Sequence, residues 1–366
     1  MTPPFPIGWS GPAAFYLLAY LLTLTVHMLF VGYVGAGTLY LTQRFIRGGA
    51  AERDPLYATL RDWLPFILGL GITFGVAPLL FVQVLYREIF YTSRILLYGW
   101  SLGLIGLLFI GFYALYFIKS PKGQGASKPW LTTVLVITFL CFLGVALYWT
   151  AGHVLSLNNN AWISQYANER TFYLNARVLS RFAIWFAAAW PCMTSLVALQ
   201  MNRGTPPIEA TILKRLGLSS ILGTLVAMGA ALFYVSQSPE PAKVLVQSPS
   251  FWPWVLLLGL GGLVHCGLWA RIGLQGKMQP KAAWLQLVLC GFTVFSAMVV
   301  RESERLALPP FAQESLEQRA SEAFAGSAVI PFTLALLVVS ILLGWLLRRV
   351  AITLKDSEVA NGPNAL

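Results

Sequence analysis

Nine apolar runs divide the chain, near residues 13–41, 63–86, 96–118, 130–155, 179–200, 216–236, 251–270, 283–300 and 327–347. Each is close to or longer than the roughly 20 residues that a helix needs to cross the hydrocarbon core of a bilayer. The eighth run is slightly short, and the first is long enough to tilt or to protrude. The pattern predicts an all-α integral membrane protein, a bundle of nine transmembrane helices forming a single membrane domain over residues 1–366. Two connecting segments have content of their own. Residues 156–178 are rich in Asn and aromatics (Asn158, Asn159, Asn160, Trp162, Tyr166, Phe172, Tyr173) and suit a lid at the headgroup level. Residues 301–326 read as an outer loop that becomes a short amphipathic surface helix from Pro310 onward.

Composition agrees with lipid as the solvent. Apolar residues make up 57% of the chain and charged residues 11%, with a mean hydropathy of +0.69, whereas a soluble domain carries about a quarter charged residues. The net charge of +11 does not point to nucleic acid, because the basic residues are scattered through short segments between apolar runs. Their distribution sets an orientation instead. Segments 42–62, 119–129, 201–215, 271–282 and 348–366 together hold 16 Lys and Arg against 6 Asp and Glu, and the remaining segments and helix ends hold 9 against 8. By the positive-inside rule the N-terminus lies outside and the C-terminus in the cytoplasm, the arrangement of a multi-pass protein of the bacterial inner membrane. The opening MTPPFPIGWSGP lacks the basic stretch of a signal peptide, so the first span is expected to be retained. Cys141, Cys192, Cys266 and Cys290 all fall inside apolar runs with no CxxC or CxxCH spacing, and read as small buried residues.

The candidate chemistry is sparse. The only three histidines, His27, His153 and His265, all lie in predicted spans. An ionisable group at membrane depth is costly and suggests function, and in a helical bundle a neutral imidazole suits axial ligation of haem iron. The competing reading is a histidine hydrogen-bonded to a neighbouring helix, with no metal. Glycines near His27 (Gly32, Gly35, Gly37) and around His265 (Gly259, Gly261, Gly262, Gly267) admit a flat macrocycle or ordinary close helix packing. Arg177, Arg181, Arg301 and Arg305, grouped with Glu302 and Glu304 at the outer face, are candidate contacts for haem propionates through bidentate hydrogen bonds, or interfacial ion pairs. The outer segments 156–178 and 301–326 mix charge with aromatics, as partner-binding surfaces do.

The stretch TLTVHMLFVGYVGAGTLYL, which contains His27, resembles the first helix of subunit I of the cytochrome bd quinol oxidases. LRDWLPFILGLGITFGV resembles that family's second helix, and YREIFYTSRILLYG falls where the family has an FGTNWxxYS-like turn. GVALYWTAGHVLSLNNNAW and RESERLALPPF are similar to its SALWILxANxWM and EYGRQPW segments. Nine spans with an outer N-terminus is also that subunit's architecture. The resemblance implies His27 as a haem ligand. It also shows departures: Ile184 stands where the family has a haem-ligating histidine, Leu257 where it has the methionine partner, and Gln83 near its second-helix glutamate. The outer segment 237–250 is short where the family carries quinol binding, so quinone as a partner is doubtful. The resemblance therefore implies a bd-like subunit of a respiratory electron-transfer complex rather than a stand-alone oxidase. It would bind one or two b-type haems and work with other membrane subunits and a cytochrome c at the outer face. The alternatives are a haem-free scaffold that anchors redox partners and, third, a transporter.

Overall fold

A computed structural model describes residues 4–48, 54–168, 171–202, 207–308 and 313–326, with scattered helical positions between 334 and 352. Among the described residues the elements are all helices. Eight are long and apolar enough to cross a membrane: α1 (Gly11–Ile46), α2 (Pro55–Leu85), α4 (Tyr98–Lys119), α6 (Lys128–Ser156), α8 (Ala176–Met201), α9 (Ala210–Ser236), α11 (Trp252–Gln275) and α12 (Pro280–Leu306). Between them lie the short helices α3 (Arg87–Leu96), α5 (Pro121–Gln124), α7 (Asn160–Ala167), α10 (Glu240–Val246) and α13 (Gln313–Ala325). These eight coincide with the first eight expected spans. The ninth, 327–347, lies outside the described residues apart from isolated helical positions such as Leu334 and Trp345.

Local chemistry explains where the helices begin. Proline occupies the first turn of α1, α2, α6, α11 and α12, where its missing N–H costs nothing. Asp54 caps α2 through the Leu56 N–H, and Asn175 caps α8 through the Val178 N–H. Gly276, at a φ of 61°, ends α11 in the left-handed conformation.

The eight long helices pack as two rings of four. In one, α1, α2, α4 and α6 close on each other; in the other, α8, α9, α11 and α12 do so, and α1 against α8 forms the seam. The outer faces remain apolar, with Leu102, Phe109, Leu222, Val226, Leu256 and Leu260 exposed. Apolar belts this broad mark a lipid-contacting surface, and the chain is a multi-pass membrane protein. Lipid offers no hydrophobic drive for helix association, so small residues and polar contacts set the packing. Gly32 on α1 meets α8 so closely that an added Cβ would lie 2.7 Å from Cys192 Cβ.

One expectation is corrected. The eighth span is not short: α12 continues helically to Leu306, so Arg301 to Arg305 form its last turns inside the bundle rather than an outer loop. The helix continues because these charges find partners within the protein. The surface helix expected from Pro310 is α13, where Leu316 and Ala320 are fully buried against α1 and α2 and Arg319 pairs with Glu88 at 2.8 Å.

At the end where α1 finishes, Asp54 pins three helices. Its Oδ2 accepts from Arg44 at 3.0 Å, Arg215 at 2.9 Å and Tyr40 at 3.2 Å. Burial alone would push this carboxyl up, but the Arg44, Leu56 N–H and Arg215 hydrogen bonds outweigh it and hold it below the usual carboxylate range. A carboxyl lowered on folding contributes stability above its unfolded pKa, and that contribution is lost as pH falls through the folded value. Asp54→Asn is expected to lower the thermal midpoint in detergent at pH 7 and to flatten the loss of stability below about pH 4. Gly32→Ala is expected to destabilise by about 1–3 kcal/mol through overpacking. Gly69→Ala, where the added Cβ meets open space, should be neutral or slightly stabilising by up to about 1 kcal/mol. Thermal unfolding of the two variants side by side checks the contrast.

Candidate functional site: a buried charge network beside an apolar cavity

Because the spans alternate in direction, the start of odd spans and the end of even ones share one face of the bundle. That face gathers Tyr20 of α1, Tyr86 after α2, His153 of α6, Arg177 and Arg181 of α8, Tyr234 of α9 and Arg301 to Arg305 of α12. Glu304 accepts from Arg177 at 2.7 Å, Arg181 at 3.3 Å, Tyr234 Oη at 2.8 Å and Ser238 Oγ at 3.0 Å. Glu302, fully buried, accepts from Arg301 at 2.7 Å and Arg305 at 3.2 Å. Arg305 also donates to Tyr20 Oη at 2.7 Å, and Arg301 donates to the same oxygen. The four candidate arginines are thus brought together, each committed to a carboxylate of α12.

The histidines are not brought together; each occupies a different helix junction. His27 Nδ1 lies 2.8 Å from the Gly71 carbonyl oxygen on α2. A carbonyl only accepts, so Nδ1 carries the proton and Nε2 keeps its lone pair. His265 is buried, with Nε2 at 2.9 Å from Ser220 Oγ of α9 and Nδ1 without a hydrogen-bond partner in the protein. His153 faces the charge network: Arg305 Nη2 lies 3.2 Å from its Nδ1. A guanidinium only donates, so Nδ1 accepts, Nε2 bears the hydrogen, and that buried N–H has no acceptor.

Between α8, α9, α11 and α12 lies a partly enclosed cavity of about 200 Å³. Its walls are mostly apolar, including Ile184, Trp185, Met228 and Leu258, with His265 among them. Arg181, Arg301 and Glu304 line it where it meets the charge network, and Lys243 of α10 lies on the same wall. Arg177, Arg305, His27 and His153 do not line it. A b-type haem needs an imidazole lone pair, apolar walls and cations at one edge. The cavity supplies these through His265, Ile184 and Leu258, and Arg181 and Arg301, so its residues fit the group. His27, outside the cavity, keeps an unprotonated Nε2 that could serve as a donor to a metal. In this arrangement His153 offers no lone pair. Among the described residues no group of three or more His, Cys, Asp or Glu side chains gathers in metal-binding geometry.

Sequence reasoning missed Tyr20, Tyr234 and Ser220 as members of these junctions. The available signal was position: tyrosines in the first half of α1 and the last turn of α9, at the ends of those spans where the arginines gather. The lid expected over 156–178 includes α7, where Trp162 Nε1 donates to the Leu155 carbonyl at 2.9 Å and Gln165 donates to the Thr171 carbonyl at 2.7 Å. Its packing turns it onto α6 and α3. The charges of 301–305 point inward, which removes them from the partner surface expected for 301–326.

No protein-family model matches the chain, and no curated protein matches it.

Removing the Glu304 charge leaves Arg177 and Arg181 buried without a counterion. Glu304→Gln is expected to cost about 3–5 kcal/mol, the range for breaking a buried pair. Glu88→Gln, at a half-exposed pair with Arg319, should cost about 1 kcal/mol or less. Midpoints of thermal unfolding in one detergent test the ordering, and equal losses would overturn it.

Proposed function

We propose that the chain is a bd-oxidase-like subunit of a membrane electron-transfer complex that holds b-type haem and works with other membrane subunits. The full topology in this reading is nine spans in a bacterial inner membrane, with the N-terminus outside and a cytochrome c partner at the outer face. The observation that carries the reading is the apolar cavity whose lining includes His265, a buried histidine with an unpartnered Nδ1. Ile184, at the position where the resemblance calls for a haem-ligating histidine, lines this cavity, and so does Leu258, beside the methionine position Leu257. The cavity thus lies beside both of those positions, and His265 is a histidine of its lining.

In this reading His265 is the ligand position of the cavity, with Arg181 and Arg301 available to carboxylates at its edge, and His27, which lies outside it, would serve a second haem. A b-type haem bound there supplies a one-electron carrier. The protein's own contribution is orientation. The Gly71 carbonyl fixes the His27 tautomer so that Nε2 is the basic nitrogen, and Ser220 sets the plane of the His265 ring.

A haem-free scaffold is the second reading. It draws on the fact that each histidine already makes a hydrogen bond to another helix.

A reduced-minus-oxidised visible spectrum of the purified chain separates the two. A b-type band in the wild type, shifted or lost in His265→Ala or His27→Ala, is the expected outcome; a wild type without any haem band would sink the haem reading and leave the scaffold. Under the scaffold reading His27→Ala costs about 1 kcal/mol, the scale of a membrane hydrogen bond, and leaves the spectrum unchanged. For the orientation, a cysteine replacing Lys355 should resist a membrane-impermeant thiol reagent in intact cells, and its labelling would reverse the topology.

A further inference from the structure

The charge network is unbalanced in a way that points to a missing acceptor. Arg94 of α3 joins it from the α6 side. Its guanidinium lies 4.4 Å from the Trp149 ring centroid and 5.0 Å from that of Tyr148. It fills a notch at Gly152, where any side chain would collide with it. Among the described residues no carboxylate pairs with Arg94, and its Nε and Nη1 have no hydrogen-bond partner. With Arg94 and Arg305 in electrostatic reach of each other, and Arg177, Arg181, Arg301 and Arg305 around His153, five guanidiniums share two carboxylates among the described residues, Glu302 and Glu304.

Most of the unpartnered atoms on this face are donors: Arg94 Nε and Nη1, Arg177 Nε, Arg305 Nε and the buried His153 Nε2, with the Tyr86 hydroxyl the one group there that could also accept. Uncompensated positive charge in an apolar bundle is costly, and a set of convergent donors with no acceptor is completed by an oxyanion. The one glutamate of α3, Glu88, is paired with Arg319, and α6 carries no carboxylate.

We propose that the junction of Arg94, His153 and Arg305 binds a phosphate-type oxyanion, either a phospholipid headgroup at the bundle end or free inorganic phosphate. The site is separate from the cavity, whose walls include none of these three residues, and it does not depend on haem.

The test uses the detergent-solubilised full chain. Thermal midpoints are measured against inorganic phosphate, with chloride at matched ionic strength as reference. In a second arm they are measured against short-chain phosphatidylglycerol, with phosphatidylcholine of equal chain length as reference. A ligand that binds only the folded state raises the midpoint with concentration. Arg94→Gln should weaken the apparent affinity by about tenfold or more, the scale of one charge-assisted hydrogen bond. Arg87→Gln makes the same charge change at an exposed position of α3 and should leave the affinity unaltered. A response to inorganic phosphate identifies a free anion, and a response to phosphatidylglycerol alone identifies a headgroup. A wild type that responds to neither, or an Arg94→Gln chain that responds as strongly as the wild type, overturns the proposal.

Discussion

Two glutamates on one helix turn, Glu302 and Glu304, hold together the end of the bundle where the apolar solvent would otherwise drive charges apart. An ion taken out of water costs several kcal/mol even after relaxation, and attraction in the interior offsets this only with good geometry and satisfied hydrogen bonds. Glu304 meets that condition with four donors from α8, α9 and the segment after α9. Glu302 meets it through Arg301 and Arg305, which in turn reach Tyr20 of α1. The two carboxylates therefore tie α12 to helices of both four-membered rings. The extra length of α12 follows from the same chemistry, since the helix can carry five charged or polar residues inward only while each has a partner.

That constraint places the cavity. With α8, α9 and α12 joined at one end by Glu304, the small residues of α8 and α9 let the helices approach lower down. The cavity remains between the tie and the His265–Ser220 contact. At the opposite end Asp54 performs the corresponding task with Arg44 and Arg215, linking α1, α2 and α9. Helix α1 belongs to both ties. It also packs on α8 through Gly32, which makes it the member through which the two rings are registered.

The spans were legible in the sequence because lipid imposes a length and a composition that leave a long uninterrupted signal. The first eight were found, although several helices run further than expected, α2 beginning eight residues earlier at Pro55 and α12 ending six later at Leu306, and the amphipathic stretch after α12 was found as a helix. What the sequence did not reveal was direction of pairing. Arg301 and Arg305 read as outer-loop charges because a run of five charged and polar residues ordinarily marks the end of a span. Only the placement of Arg177, Arg181, Tyr20 and Tyr234 on neighbouring helices shows that the run is satisfied inside. The same holds for Ser220, a residue unremarkable in its own segment, which meets His265 across 45 positions of chain. Cys192 and Cys290, read as small buried residues, are buried as a facing pair with sulfurs 4.0 Å apart, a relation between helices that no local pattern encodes.

The three histidines were equivalent in the sequence, and hydrogen bonding separates them. A bond to another helix does not by itself distinguish a structural imidazole from a ligand, because a ligating imidazole also needs its second nitrogen held. What distinguishes them is the polarity of the partner. A carbonyl, as at His27, must receive the proton and so leaves the far nitrogen basic. A guanidinium, as at His153, must give one and so leaves the far nitrogen as a donor. A hydroxyl, as at His265, can do either, and the unpartnered Nδ1 is basic when Nε2 donates to Ser220. His27 thus keeps a basic nitrogen, His265 keeps one only in the tautomer that donates to Ser220, and His153 presents a donor. The three imidazoles differ because of partners that the helices bring from elsewhere in the chain.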